Sequence, residues 1–119
     1  MSRRALRPVR IAVALLPLAL AAGAWASVPT VGECLEASDF IANAALARDH
    51  GMSRDDFLAR MDEDFQMIHA FPPSLRWFAQ DADDEAFLLA QARSVFESPD
   101  VPDRHRAHFL DACLARLMV

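Results

Sequence analysis

Histidine and acidic side chains near the end of the chain recur at a spacing that could serve metal binding. His105, His108 and Asp111 follow one another at three-residue intervals. On a helix each such step turns a side chain by about 60°, so the three span about 120° and cannot all face one ion. A zinc site would need another ligand, such as His50 or His69. A solvated polar face is the simpler interpretation, and we predict no metal site.

Two acidic runs could serve calcium binding or acid–base catalysis, but neither has the features that those sites need. Residues 81–85 lack the central glycine and distant glutamate of a calcium loop, and they suit the first turn of a helix. Residues 62–64 resemble a solvated helix face, since paired carboxylates need a pocket to separate their pKa values. The chain also has no glycine-rich phosphate loop and no nucleophile motif. We therefore predict no enzyme activity and no cofactor.

The densest unusual stretch, residues 71–78, combines three aromatic side chains, two prolines and an arginine. Tryptophan and arginine are enriched among residues that dominate binding at interfaces, and binding residues favour ordered loops. The simpler interpretation is a proline-stiffened connection whose aromatic side chains cover one end of the domain. The predicted partner-binding patch consists of Phe71, Leu75, Arg76, Trp77 and Phe78.

The chain contains two cysteines, Cys34 and Cys113. In an exported protein they are expected to form a disulfide. It would close a loop of about 80 residues, worth roughly 4–5 kcal/mol from the lost entropy of the unfolded chain. An intermolecular bridge or free thiols are the alternatives. Without a Cys-x-x-Cys motif, a dithiol oxidoreductase is not predicted.

The first 26 residues predict export. Four arginines precede an apolar run at 11–22, and Ala24-Trp25-Ala26 follows as a cleavage motif. Cleavage would leave Ser27 first, with Ala22-Gly23-Ala24 as an alternative site. A membrane anchor is the other interpretation, but the run falls short of the about 20 apolar residues that span a bilayer. Ser2-Arg3-Arg4 resembles a twin-arginine signal, although general secretion is favoured.

Residues 27–119 are predicted to form one helical domain of strongly acidic character. They carry eight arginines against 17 acidic residues, a formal net charge of −9, and no lysine. Phosphate backbones and anionic lipid surfaces repel such a body, which argues against nucleic-acid and peripheral membrane binding. A periplasmic or secreted protein partner is compatible with this negative charge. The sequence does not specify the oligomeric state.

Hydrophobic periodicity predicts an all-α fold, a small compact bundle of about four amphipathic helices at 33–50, 54–69, 83–97 and 102–117. Ser53 suits an N-cap and Gly51 a left-handed C-terminal cap. Cys34 falls on the inner face of the first helix and Cys113 on that of the last, so the disulfide would join these two helices. Phe109 falls at the border of the last helix's apolar stripe.

These observations predict a non-catalytic exported helical protein that binds another protein. An inhibitor, an immunity-type protein or a secretion accessory protein in the bacterial periplasm would have these features. One alternative is an acid- or stress-activated periplasmic chaperone, which the chain resembles only in size and cysteine count. Low pH would discharge the 17 carboxylates and could loosen such a bundle. A protein that binds a small ligand or a metal is the third hypothesis.

Overall fold

The computed structural model describes residues 29–118, which form four α-helices and no strand. The predicted all-α fold is confirmed, whereas the predicted signal peptide lies outside the described residues. None of the four helices is long and apolar enough to cross a lipid bilayer. The helices are α1 (Val31–Asp49), α2 (Arg54–Ile68), α3 (Ala82–Glu97) and α4 (Pro102–Leu117), with a 3-10 turn at Pro73–Leu75 between α2 and α3.

The first three helices each begin with a side-chain cap. The Ser53 hydroxyl oxygen accepts a hydrogen bond of 3.1 Å from the backbone amide of Asp56, which confirms the predicted N-cap. Asp81 caps α3 in the same way at 3.0 Å. Thr30 and Glu33 form a reciprocal capping box, which the sequence analysis missed. Because of this box α1 begins at Val31, two residues before the predicted start.

The connection between α1 and α2 turns at a glycine. Gly51 has a φ of 97°, a conformation that residues with a Cβ rarely adopt. The chain then enters α2 directly through the Ser53 cap. The predicted left-handed position at the end of the first helix is therefore present.

The helix α1 organises the packing. It lies antiparallel to α4, its most extensive neighbour, and also contacts α3, while α2 packs against α3. A disulfide joins Cys34 near the start of α1 to Cys113 near the end of α4, with the two Cα atoms 5.8 Å apart. Both cysteines are buried. The predicted bridge between the first and last helices is confirmed.

A row of aromatic side chains runs through the interior. Neighbouring ring centroids lie between 5.4 and 6.2 Å apart, within the usual range for aromatic pairs. Phe78 and Phe109, whose ring centroids are 6.0 Å apart, are fully buried. The placement of Phe109 at the border of the α4 stripe was therefore wrong. The row comprises Phe96, Phe57, Phe40, Trp77, Phe78, Phe109 and Phe87.

Arg48, at the end of α1, holds the connection between α3 and α4. Its Nη1 donates to the carbonyl oxygens of Val95 (2.8 Å) and Ser98 (2.5 Å), and its Nη2 donates to that of Asp100 (2.8 Å). The last carbonyls of a helix have no partner within the helix. α3 has no basic residue in its own last turn, so an arginine of another helix satisfies them.

We predict that replacing both Cys34 and Cys113 with alanine lowers the free energy of unfolding by about 2–5 kcal/mol, because the unfolded chain regains its entropy. Urea denaturation followed by circular dichroism measures this loss. A reductant should lower the midpoint of the wild-type protein and leave that of the double variant unchanged. Equal midpoints for the oxidised wild type and the double variant would contradict the prediction.

Arg48→Ala is predicted to destabilise the protein by about 1.5–3 kcal/mol, since hydrogen bonds from a charged donor to partly buried carbonyls are lost. Arg48→Lys should recover little, because one ammonium group cannot reproduce the fork of a guanidinium. Arg104→Ala is the control: this side chain is 74 % exposed, and we expect a change within about 0.5 kcal/mol. Chemical denaturation of the three variants measures their free energies of unfolding. Similar values for Arg48→Ala and Arg104→Ala would refute the role of Arg48.

Candidate functional site

An apolar groove of about 280 Å³ opens between α1, α2 and the connection from α2 to α3. Its floor consists of core side chains that are nearly inaccessible: Met61, Phe65 and Leu88. At its mouth Met67 is 66 % exposed and Phe71 47 % exposed. The groove thus joins the core to an exposed apolar surface. Its remaining lining residues are Phe40, Asp64, Ile68 and Trp77.

The connection from α2 to α3 forms one side of the groove, and a single arginine holds it. Arg76 donates from Nε to the carbonyl oxygen of Phe71 (2.9 Å), from Nη1 to that of Gln80 (3.3 Å) and from Nη2 to that of His69 (3.3 Å). These bonds join the two ends of the connection to its middle. A segment with little regular structure therefore has a defined shape.

Trp77 forms a wall of the groove and is fixed at both ends of its indole ring. Its ring lies 6.0 Å from that of Phe40 and 5.9 Å from that of Phe78. Its Nε1 donates a hydrogen bond of 3.0 Å to the carboxylate of Glu36 on α1. A buried or half-buried indole N–H usually needs such a partner. These contacts hold the indole in one orientation.

The five residues of the predicted patch do not share one surface. Phe71 and Trp77 line the groove, and Leu75 is exposed on the 3-10 turn. Arg76 directs its donors to backbone carbonyls, and Phe78 is fully buried in the aromatic row. Phe78 therefore cannot contact a partner, because the row of rings encloses it on the inner side of the connection.

The groove also uses residues that the sequence analysis did not select. Phe40 lies on α1, far from residues 71–78 in sequence, and Met61, Asp64, Met67 and Ile68 lie on α2. Met67 lies two residues from the buried Phe65 and next to Ile68, so the sequence alone did not show that its side chain is exposed. The site arises where side chains of α1, α2, α3 and the connection from α2 to α3 come together.

Asp84 anchors the C-terminal end of the same connection. Its buried carboxylate accepts the amide of Gln80 (3.1 Å) and a hydrogen bond from Nη2 of Arg116 (3.0 Å). The Arg116 guanidinium lies 4.4 Å from the centre of the Phe87 ring, a cation–π arrangement. Burial raises the pKa of Asp84 above its ordinary value and outweighs the two hydrogen bonds, which lower it. The acidic first turn predicted for residues 81–85 therefore includes one buried side chain, that of Asp84.

The histidines are not arranged as a metal site. His105, predicted to lie on a solvated face, is largely buried, with its Nε2 3.2 Å from the carbonyl oxygen of Ser98 and 3.5 Å from Arg48. His69 pairs with Glu85 between α2 and α3. Within residues 29–118 no three histidine, cysteine or acidic side chains are grouped to hold an ion. His105 instead supports the end of α3.

Comparison with models of protein families, with curated proteins and with solved structures finds no significant match to this chain. The groove is the feature of the described residues in which exposed apolar side chains, a preorganised wall and a charged side chain meet. A function has to be inferred from that geometry.

We predict that the free energy of unfolding of the wild type, minus that of Asp84→Asn, decreases as pH rises. A raised pKa means that the folded state holds the Asp84 proton more tightly than the unfolded state. Its contribution to stability is then complete below the ordinary pKa of 3.8 and is lost as pH rises through the raised folded value. Urea denaturation at several pH values measures the difference.

Asp83→Asn is the control for this measurement, because it removes one exposed carboxylate from the same helical turn. A difference between wild type and Asp84→Asn that grows with pH would show that Arg116 favours the ionised form more than burial disfavours it. That outcome would contradict the prediction.

Proposed function

We propose that this is an exported, non-catalytic protein that binds another protein through the apolar groove. The observation that carries the proposal is the exposure of Met67 and Phe71 at the mouth of a groove whose floor is the hydrophobic core. Contiguous apolar surface of this kind costs solubility and commonly marks a binding site. A partner that covers it would remove that surface from water.

The size of the groove favours a protein partner over a small molecule. Sites for drug-sized ligands and cofactors have volumes of about 300–1,000 Å³ and enclose most of the ligand. The groove, with about 280 Å³, lies at the lower limit of this range, and it is open to solvent, so it would not enclose such a ligand. It suits one or two large side chains that anchor a longer segment, which is how peptides dock into helical proteins.

The rigidity of the groove supports the same proposal. Arg76 fixes the connection through three carbonyl groups, and Glu36 fixes the indole of Trp77. A surface that is already in its binding conformation loses little conformational entropy when a partner arrives. The bonds of Arg76 thus assign it a positioning role, whereas Phe71 and Trp77 provide contact area.

Export is part of the proposal, with the bacterial periplasm as the location. The signal-like first 26 residues support it. The disulfide between Cys34 and Cys113 supports it independently, since such bonds persist in oxidising compartments. The partner would therefore be another periplasmic or secreted protein.

Site-specific photocrosslinking tests the proposal. p-Benzoylphenylalanine at position Met67, in cells that export the full chain, should give a discrete adduct with a second protein. The same group at Ala90, an exposed position of α3, is the control and should give none. Adducts of equal yield at both positions, or at neither, would overturn the proposal.

A pair of alanine variants links such an adduct to the groove. Phe71→Ala should reduce the yield at Met67 several-fold, because it removes part of the groove mouth. Leu75→Ala is matched to it, since Leu75 is exposed on the same connection but does not line the groove. If both variants reduce the yield equally, the binding surface is the whole connection and the groove is not the site.

A further inference from the structure

The groove combines an apolar wall with a carboxylate at its rim. Among the described residues that line it, Asp64 is the single charged one. Its side chain is exposed, and none of the ion pairs within residues 29–118 uses it. A carboxylate next to an apolar surface is placed to pair with a cation of a bound ligand.

A second carboxylate contacts the Trp77 wall, although it does not line the groove. The Glu36 carboxylate approaches from α1 and accepts the hydrogen bond of Trp77. Arg76 is the arginine of the same connection, and its donors point to backbone carbonyls. Asp64 is therefore the carboxylate that a ligand in the groove would meet, and among the described lining residues none is basic.

The length of the groove matches a short helical segment. The lining residues of α2, from position 61 to position 68, extend over about 10 Å, which equals about two turns of a helix. A helix that binds in a groove uses apolar anchors at i, i+3 or i+4 and i+7, a spacing of the same length. The charged residues of such a helix would flank its apolar face and meet the rim.

We propose that the groove binds a cationic amphipathic helix of another protein, with its apolar side chains against the floor and a lysine or arginine paired with Asp64. This inference rests on the proposed function and specifies the chemistry of its partner. The net charge of −9 on residues 27–119 attracts such a segment over a distance. It also repels a second copy of this acidic chain.

Synthetic peptides of about 14 residues test the inference, and Trp77 is the reporter because it is the sole tryptophan of residues 27–119. The first peptide is an amphipathic helix of leucine and lysine. The second replaces each lysine with glutamate, and the third replaces each leucine with glutamine. Titration followed by tryptophan emission and by the anisotropy of a labelled peptide measures affinity, and sedimentation of the protein alone measures self-association.

We expect the leucine–lysine peptide to bind at least tenfold more tightly than the other two. Asp64→Lys should weaken it roughly tenfold, because the ion pair is lost and a repulsion replaces it. Asp62→Lys is the matched control: it makes the same change of charge at an exposed position of α2 that does not line the groove. Affinity should fall less than about threefold there, through the screened net charge alone.

Equal weakening by Asp64→Lys and Asp62→Lys would overturn the inference, because only the net charge would then matter. Binding of the leucine–glutamate peptide at equal affinity, or a groove occupied by a second copy of the chain, would overturn it too. If no peptide binds while the adduct at Met67 forms, the inference fails and the proposed function stands. If the adduct is absent and the leucine–lysine peptide binds only nonspecifically, both fail.

Discussion

The disulfide between Cys34 and Cys113 is the constraint on which the rest of the structure depends. It joins α1 to α4, and α1 is the helix that contacts both α4 and α3. A domain of this size buries a modest fraction of its surface, so its core alone provides little stability. Alanines on the buried face of α1 let neighbouring helices approach closely, and the bridge keeps that approach when thermal motion would separate the chain ends.

Two arginine side chains fix the connections between the helices. Arg48 satisfies carbonyls at the end of α3, and Arg76 does the same within the connection from α2 to α3. Both use the several donors of a guanidinium to hold backbone groups from different positions of the chain. Asp84 is the acidic counterpart, buried between the connection and Arg116. Few residues thus order the segments that have no helical hydrogen bonds.

The sequence predicted what depends on neighbouring residues along the chain. The Ser53 cap, the turn at Gly51 and the start of α4 at position 102 depend on local signals, and their positions proved correct. The disulfide was predictable because only two cysteines exist and both fell on inner faces. Phe78, His105 and Asp84 are buried for another reason: each is covered by helices distant in sequence. Seven of the nine residues that line the groove escaped prediction on the same ground, since they come from α1, α2 and α3.

The groove follows from how residues 69–81 return to the bundle. Phe78 enters the aromatic row, which pulls Trp77 against Phe40 and leaves Phe71 outside, next to Met67. Burying one aromatic residue thereby exposes another. Exposed apolar surface would ordinarily promote self-association. A protein with 17 acidic residues and no lysine counters this by charge repulsion between copies, and the same repulsion acts against anionic partners. Under the function proposed above, the apolar surface is left to partners that bring positive charge, and solubility and selectivity would then arise from one distribution of charge.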